Sequence, residues 1–151
     1  MQDVWTLIAR DHHELADGLA TLADGSATDP RGTIDGLCLG FAAHAEAHAK
    51  TLEGVLGGRA LPKYITALVG ELESEHLAQE RQFTRLAYAP EHEWSDRART
   101  LHDMVRQHHD YERAWCLPVL RTRAPSYDAL AALYATERLR AFAWTWRGYT
   151  A

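Results

Sequence analysis

Apolar residues recur at helical spacing along almost the whole chain, and no segment shows the alternation typical of a β-strand. The pattern predicts four long helices, which begin near Asp3, Arg31, Pro62 and Asp96, and a shorter fifth helix that begins at Ser126. The connections between them are short and rich in Gly, Pro, Ser and Asp. Long helices with short connections favour an all-α fold, an up-and-down antiparallel four-helix bundle with an additional C-terminal helix.

The bundle is predicted to span residues 1–121, and the C-terminal helix, residues 122–151, to pack on it within a single domain. Ser95 or Asp96 is expected to cap the fourth helix because short polar side chains accept from free backbone N–H groups. Pro118 is expected to kink or end that helix.

Composition and charge exclude several classes of partner. The formal charge of −5 and the lack of a basic cluster with interleaved aromatic residues argue against nucleic acid. No apolar run approaches the roughly 20 residues of a membrane helix, and the N-terminus lacks the pattern of a signal peptide. We therefore expect no membrane partner and a cytoplasmic location, where Cys38 and Cys116 stay free as core residues.

Histidines on apolar helix faces are the unusual feature of the chain, which has nine histidines in 151 residues. At about 100° per residue, every one of the four long helices directs at least one imidazole toward its apolar face. The core-facing histidines are His12, His44, His48, His76 and His108. Two glutamates follow a core-facing histidine by one turn, Glu80 after His76 and Glu112 after His108.

The core-facing histidines are also evenly spaced. Positions 12, 44, 76 and 108 are 32 residues apart, and so are positions 48, 80 and 112. Helices of similar length joined by short loops would carry such positions to one or two neighbouring levels of a bundle. The sequence therefore predicts that five imidazoles and two carboxylates converge in the interior.

Buried charges and unpaired polar groups cost free energy, so seven of them need a compensating partner. A single core histidine is usually satisfied by a hydrogen bond, but four helices that each present one favour a metal site. Imidazole with carboxylate suits iron, manganese or zinc, and helix bundles hold pairs of such ions. One ion or two, and which metal, stay open at this point.

The other four histidines are predicted to lie on the surface, because they point away from the apolar faces or fall in a loop: His13, His92, His102 and His109. His109 directly follows a core-facing histidine. It is the substitute ligand if the phase of the fourth helix differs from the prediction.

With these histidines and glutamates, the sequence resembles the hemerythrin-like, or HHE cation-binding, domains over roughly residues 1–121. The matching segments are DHHEL (11–15), HAEAH (44–48), EHLAQE (75–80) and HHDYERAWCLP (108–118). The resemblance implies a non-haem centre of two iron ions, oxo- or hydroxo-bridged, in a four-helix bundle, with manganese or zinc as the lesser alternatives. It also implies binding of, or reaction with, O2, NO or peroxide.

Two positions depart from the family pattern. The second helix usually supplies H-x-x-x-E, but His48 stands at the glutamate position; the third supplies H-x-x-x-H in respiratory members, but Glu80 stands at the second histidine position. The exchange preserves five imidazoles and two carboxylates. We interpret Glu80 and Glu112 as bridging ligands and His48 as a terminal ligand.

Three functions fit this pattern. The first is a protein that binds O2, NO or peroxide. The second is a di-iron oxidase or oxygenase for a small organic substrate, with space beside Ala42, Ala43, Ala45, Ala47 and Ala49 and a lid formed by Trp144 and Trp146. Close helix packing is the alternative explanation of the alanines. The third function is an iron or metal sensor or store.

Overall fold

The computed structural model of the chain describes residues 3–57, 62–122 and 127–149, with the side chains at 120, 127 and 144–149 outside that description. This part of the chain is all-helical and contains no strand, as predicted. The elements are α1 (Val4–Ala23), α2 (Pro30–Leu56), α3 (Lys63–Ala87), a 3-10 turn (Glu91–Glu93), α4 (Trp94–Tyr111), a π-helical turn (Glu112–Cys116), α5 (Leu117–Arg121) and α6 (Tyr127–Tyr149). Within the described ranges, no helix combines the length and the apolar character that crossing a membrane requires.

The first two helices begin at aspartate caps. The Asp3 side chain accepts from the backbone N–H of Trp5, and Asp29 accepts from that of Gly32. The cap predicted for α4 is wrong, because this helix begins at Trp94 directly after the 3-10 turn and has no side-chain cap. Ser95 instead donates its hydroxyl proton to the carbonyl oxygen of Ala23, 2.6 Å away, and so joins α4 to α1.

Pro118 does not end the helix, which stays helical through Arg121. Proline lacks the N–H that would bond four residues back, and its ring crowds the carbonyl of that residue, here Ala114. Ala114 lies in the π-helical turn, where the Leu117 N–H bonds to the carbonyl of Glu112, five residues back. The wider turn accommodates the proline and places Glu112 at its first position.

The C-terminal helix is as long as the helices α1–α4, not shorter as the apolar pattern predicted. α6 runs for 23 residues because its sequence holds no glycine or proline before Gly148. It contacts both α1 and α2. Among its described side chains, it buries Leu130, Ala131 and Tyr134. The predicted start at Ser126 lies outside the described residues.

Two apolar clusters form the core, and each receives residues from all four long helices α1–α4 or their extensions. The Trp5 cluster includes Val4, Trp5, Ile8, Leu52, Val55, Leu72, Cys116, Leu130 and Tyr134. The Phe41 cluster includes Leu15, Leu19, Ile34, Phe41, Phe83, Leu86, Leu101 and Val105. α1 and α3 pass from the Trp5 cluster to the Phe41 cluster, whereas α2 and α4 pass in the opposite order.

The contacts between helices agree with this alternating order of the two clusters. α1 contacts α2 and α4, and α3 contacts the same two helices. Along each of the four helices, buried polar side chains occupy the stretch between the two clusters. They are Asp11, His12, His44, His48, His76, Gln79, His108 and Glu112. We call this level of the molecule the polar layer.

Candidate metal centre

Four imidazoles in the polar layer form a closed ring, with one from each of the helices α1–α4. The ring centroids of His12 and His44 are 4.5 Å apart, and those of His44 and His76 are 5.4 Å apart. His108 closes the ring, at 4.7 Å from His76 and 5.2 Å from His12. All four are buried. The even spacing in the sequence therefore does bring these residues to one level.

Glu112 is the carboxylate among these rings. Its Oε1 accepts from Nε2–H of His48 at 2.5 Å, and its Oε2 lies 3.6 Å from Nδ1 of His12. Burial is the largest single effect and opposes ionisation, but the neighbouring imidazoles, His48 foremost, together outweigh it and hold the pKa of Glu112 below its usual value. The two oxygens of one carboxylate thus face histidines of two different helices.

His44 is oriented by a chain of hydrogen bonds that reaches α6. The Tyr134 hydroxyl donates to Oδ2 of Asp11 at 2.6 Å and lies 2.8 Å from Nδ1 of His44. Since its one proton goes to Asp11, the hydroxyl accepts from Nδ1–H of His44. Arg138 also donates to Oδ2 of Asp11, at 2.6 Å. This chain fixes the His44 tautomer that leaves a lone pair on Nε2.

Electrostatics support this chain of hydrogen bonds. Burial opposes ionisation of Asp11, yet the His44 imidazole and the Tyr134 hydroxyl hold the pKa of Asp11 below its usual value. Burial, followed by the charge of Asp11, raises the pKa of Tyr134 well above its ordinary range. Asp11 therefore stays a carboxylate and Tyr134 stays a neutral donor.

The lone pair on Nε2 of His44 faces Nε2 of His12, which lies 3.0 Å away and carries the proton when no ion is bound. Two nitrogens that each bind one metal ion at about 2.1 Å and at right angles lie about 3.0 Å apart. The observed separation is thus compatible with adjacent ligands of one ion. Without an ion, the two nitrogens share a single proton.

A hydrogen bond behind the ring also orients His108, in this case from a residue of α3. Its Nδ1–H donates to Oε2 of Glu75 on α3 at 2.6 Å. In the neutral imidazole, the lone pair then sits on Nε2, which is buried and has no hydrogen-bond partner. A carboxylate behind the distal nitrogen is the usual support of a metal-bound histidine, since it fixes the ring and raises its basicity.

Several buried polar atoms of the layer lack a partner: Oδ1 of Asp11, Nδ1 of His12, Nε2 of His76 and Nε2 of His108. Each such atom costs about 1–3 kcal/mol. Burial holds the pKa of His12 and His76 well below the ordinary value, so both rings are neutral, which is the form that binds metal. The residues fit a divalent metal ion, which would give the imidazole nitrogens among these atoms a partner.

Two groups of three side chains bring ligand atoms within 4.8 Å of one another: His12 with His44 and His76, and His12 with His108 and Glu112. His48 joins the second group through its hydrogen bond to Glu112. These buried imidazole and carboxylate groups can hold a metal ion.

The structure does not bring Glu80 into this set, although it was expected to bridge. Its side chain is exposed, and Gln79 is buried in its place. The buried stripe of α3 follows positions 72, 76, 79, 83 and 86, so the step after His76 is three residues rather than four. The imidazoles therefore converge on one buried glutamate instead of two.

The four outer histidines lie largely as predicted. His13 and His92 are exposed, and His102 and His109 are half-buried. His109 nevertheless touches the site, because its ring centroid is 5.0 Å from that of His12 and 4.9 Å from that of His13.

A surface groove between α2 and α3 leads to the site. It has a volume of about 880 Å³, and its lining includes His76, Phe41, Ala42, Ala45 and Ala49. The other two alanines of the series, at 43 and 47, are completely buried, so they serve close packing. The side chains of the predicted lid residues at 144 and 146 lie outside the described residues.

Four functional side chains were missed in the sequence: Asp11, Glu75, Tyr134 and Arg138. Asp11 directly precedes a core-facing histidine and Glu75 directly precedes another, a local signal that can be recognised. Tyr134 and Arg138 are one turn apart on a helix that the sequence pattern treats as an addition. Nothing in that pattern assigns them to the site.

Comparison with family models gives no match to this chain, and curated proteins and solved structures give no significant match either. The assignment of function therefore rests on the site itself.

Proposed function

We propose that this chain is a hemerythrin-like protein whose polar layer holds two iron ions that bind O2, NO or peroxide. The observation that carries the proposal is the closed ring of four buried imidazoles beside Glu112, three of which have a buried nitrogen without a hydrogen-bond partner. A ring of this kind without a metal would be a net cost to folding. We favour iron because imidazole and carboxylate together suit it.

The proposed architecture is the up-and-down antiparallel four-helix bundle with α6 as an addition. Its support is the order of the two core clusters, which reverses from each of the helices α1–α4 to the next. The contacts of α1 with α4, in addition to those between successive helices, agree with a closed arrangement. α6 then lies outside the four, against α1 and α2.

In this proposal Glu112 would hold the ions together with the histidines of two helices, because its two oxygens face His48 and His12. His12, His44 and His76 would hold one ion. His48 and His108 would hold the other, on the side of Glu112. Glu80 is omitted from the ligands because it is exposed. Glu75 and the chain from Asp11 through Tyr134 hold two of the rings in position.

Ferrous ions would supply the electron density that O2 or NO needs for binding. The protein contributes a buried, preorganised ligand set and an apolar boundary. Phe41 borders the site, with its ring centroid 6.1 Å from that of His76. The apolar clusters on both sides of the polar layer exclude bulk water, which protects a reduced metal from uncontrolled oxidation.

The first experiment measures metal content per chain after reconstitution with Fe(II), then the absorption spectrum of the anaerobic protein before and after air. We expect about two irons per chain and new near-ultraviolet and visible bands that fade under vacuum. Protein that takes up no metal would overturn the metal centre. One zinc ion without a colour change would overturn the oxygen chemistry alone.

The groove favours a second candidate function, oxidation of a small organic substrate. It is large enough for such a molecule, and His76 lies in its wall. Ala45→Phe would fill it, and Ala132→Phe on the exposed face of α6 is a matched control. The measurement is O2 consumption in the presence of the substrate. A protein that only binds O2 consumes it once per site in the wild-type form and in both variants. An oxidase consumes O2 repeatedly, and only Ala45→Phe loses this turnover.

A further inference from the structure

Each of α1 and α4 carries a His-His pair, and the two pairs face one another. Within each pair, one imidazole enters the polar layer and the other stays outside it. The inner rings are His12 and His108; the outer rings are His13 and His109. The proposed metal centre uses only the inner members, so the outer members need an explanation of their own.

The outer rings form a continuous line of imidazoles from the surface to the site. His13 is exposed, His109 is half-buried and His12 is buried. The ring centroids are 4.9 Å apart between His13 and His109, and 5.0 Å apart between His109 and His12. Burial therefore increases step by step along three rings in contact.

The hydrogen bond of the outermost ring leaves one of its nitrogens available to a metal ion. Nδ1–H of His13 donates to the carbonyl oxygen of Ala9 at 2.7 Å, one turn back on α1. The neutral ring then carries its lone pair on Nε2, since a carbonyl oxygen can only accept. Imidazole nitrogen is a preferred ligand of divalent transition metals.

Other approaches to the polar layer offer fewer imidazoles. The Trp5 and Phe41 clusters close both ends with apolar side chains. The groove between α2 and α3 has carboxylates at its mouth, including Glu73 and Glu80, but Phe41 and alanines line it beside His76. Within the described residues, the line through His109 offers an imidazole at every step, from exposed His13 to buried His12.

We infer that His13 and His109 are the entry route by which a divalent ion reaches the metal centre. This inference rests on the proposed function. The step is a ligand exchange: an imidazole nitrogen displaces a water molecule from the hydrated ion, and the next imidazole then takes the ion over. No electron is transferred, and the displaced water returns to solvent. His13 and His109 affect the rate of loading and leave the final occupancy unchanged.

The test measures uptake of Co(II) by metal-free protein in a stopped-flow instrument, followed by the visible absorption of bound Co(II). The variants are His13→Ala, His109→Ala and the double variant. His102→Ala is the matched control, because His102 is also half-buried on α4 but touches none of these rings. We expect about tenfold slower uptake in the double variant, with unchanged final stoichiometry and spectrum.

The single variant His13→Ala keeps the test decisive, because its side chain is exposed and its loss leaves the fold intact. Equal uptake rates in the wild-type protein, His13→Ala and the double variant would overturn the entry route and leave the metal centre standing. A changed final spectrum in His109→Ala would identify it as a ligand and overturn its role in transfer. If the wild-type protein bound no Co(II), the proposed function would fail together with this inference.

Discussion

Glu112 and His48, 64 residues apart in the sequence, are joined by a hydrogen bond of 2.5 Å in the buried polar layer. Glu112 is also the first residue of the π-helical turn that Pro118 makes favourable. Such turns often occur at functional sites because they redirect a side chain. Here the turn begins with the carboxylate that the imidazoles surround.

Glu112→Gln is expected to reduce metal binding strongly. The amide keeps the size of the side chain but removes the charge that compensates a bound cation. We expect the iron content, about two per chain in the wild-type protein, to fall to one or none. Metal analysis after gel filtration checks this result.

Glu80→Gln is the matched control for that variant, since Glu80 is exposed on α3. It should bind as much metal as the wild-type protein. Loss of metal in this variant would show that Glu80 turns inward when metal binds, as its predicted role as a bridging ligand requires.

Tyr134→Phe is expected to weaken metal binding by about 10–100-fold without removing a ligand. The hydroxyl accepts from His44 and donates to Asp11, so its loss frees the imidazole to rotate. It also leaves Nδ1–H of His44 without this partner, while Asp11 keeps its hydrogen bond from Arg138. The metal-free protein should also lose about 1–3 kcal/mol of unfolding free energy. Metal titration and urea unfolding measure the two effects.

Tyr88→Phe is the control for the tyrosine substitution, because Tyr88 is exposed at the end of α3. It should change neither quantity. An equal effect of the two substitutions would contradict the role assigned to Tyr134.

His76→Leu is expected to stabilise the metal-free protein and abolish its stabilisation by metal. Nε2 of His76 is buried without a partner, and leucine removes that cost, about 1–3 kcal/mol. In the wild-type protein, metal at about 100 times its Kd should add about 2.7 kcal/mol, which raises Tm by roughly 5–10 °C. Thermal unfolding with Fe(II) under argon and with chelator measures both. A metal-induced rise that persists in the variant would remove His76 from the ligands.

The metal-free protein is expected to lose stability as the pH falls below about 6.5. Burial keeps the pKa of His12 and His76 well below that value in the folded state. Below pH 6.5 the unfolded chain therefore binds more protons, and each of the two histidines lowers the unfolding free energy by up to about 1.4 kcal/mol per pH unit. Above that range, these two residues contribute no pH dependence.

Urea unfolding with chelator at several pH values between about 5 and 8 tests this dependence. The double variant His12→Leu with His76→Leu should give a flatter profile than the wild-type protein. His92→Gln, at an exposed position, should leave the profile unchanged. Equal slopes in all three proteins would mean that other groups cause the acid sensitivity.

Much of this organisation could be predicted from the periodicity of the sequence. The apolar spacing determined that the chain is helical, and the intervals of 32 residues brought His12, His44, His76 and His108 to one level. These features depend on helix geometry, which is local and repeats along the chain. The interior position of Glu112 followed in the same way, since one turn separates it from His108.

Features that depend on how helices pack could not be predicted in this way. A step of three residues instead of four along α3 put Gln79 inside and Glu80 outside. Apolar spacing fixes a helix face only to within about one position, because 3.6 residues make one turn. The neighbouring helices decide which of two adjacent side chains is buried.

The sequence by itself determined which residues the chain can offer to a metal: imidazoles at regular helical positions and a glutamate one turn after His108. Only the tertiary structure decided how they are held, through Glu75 behind His108 and through Tyr134 of α6 behind His44. The physical reason is that a hydrogen bond across 33 or 90 residues leaves no periodic trace in the sequence. It exists only once packing has brought the two helices together.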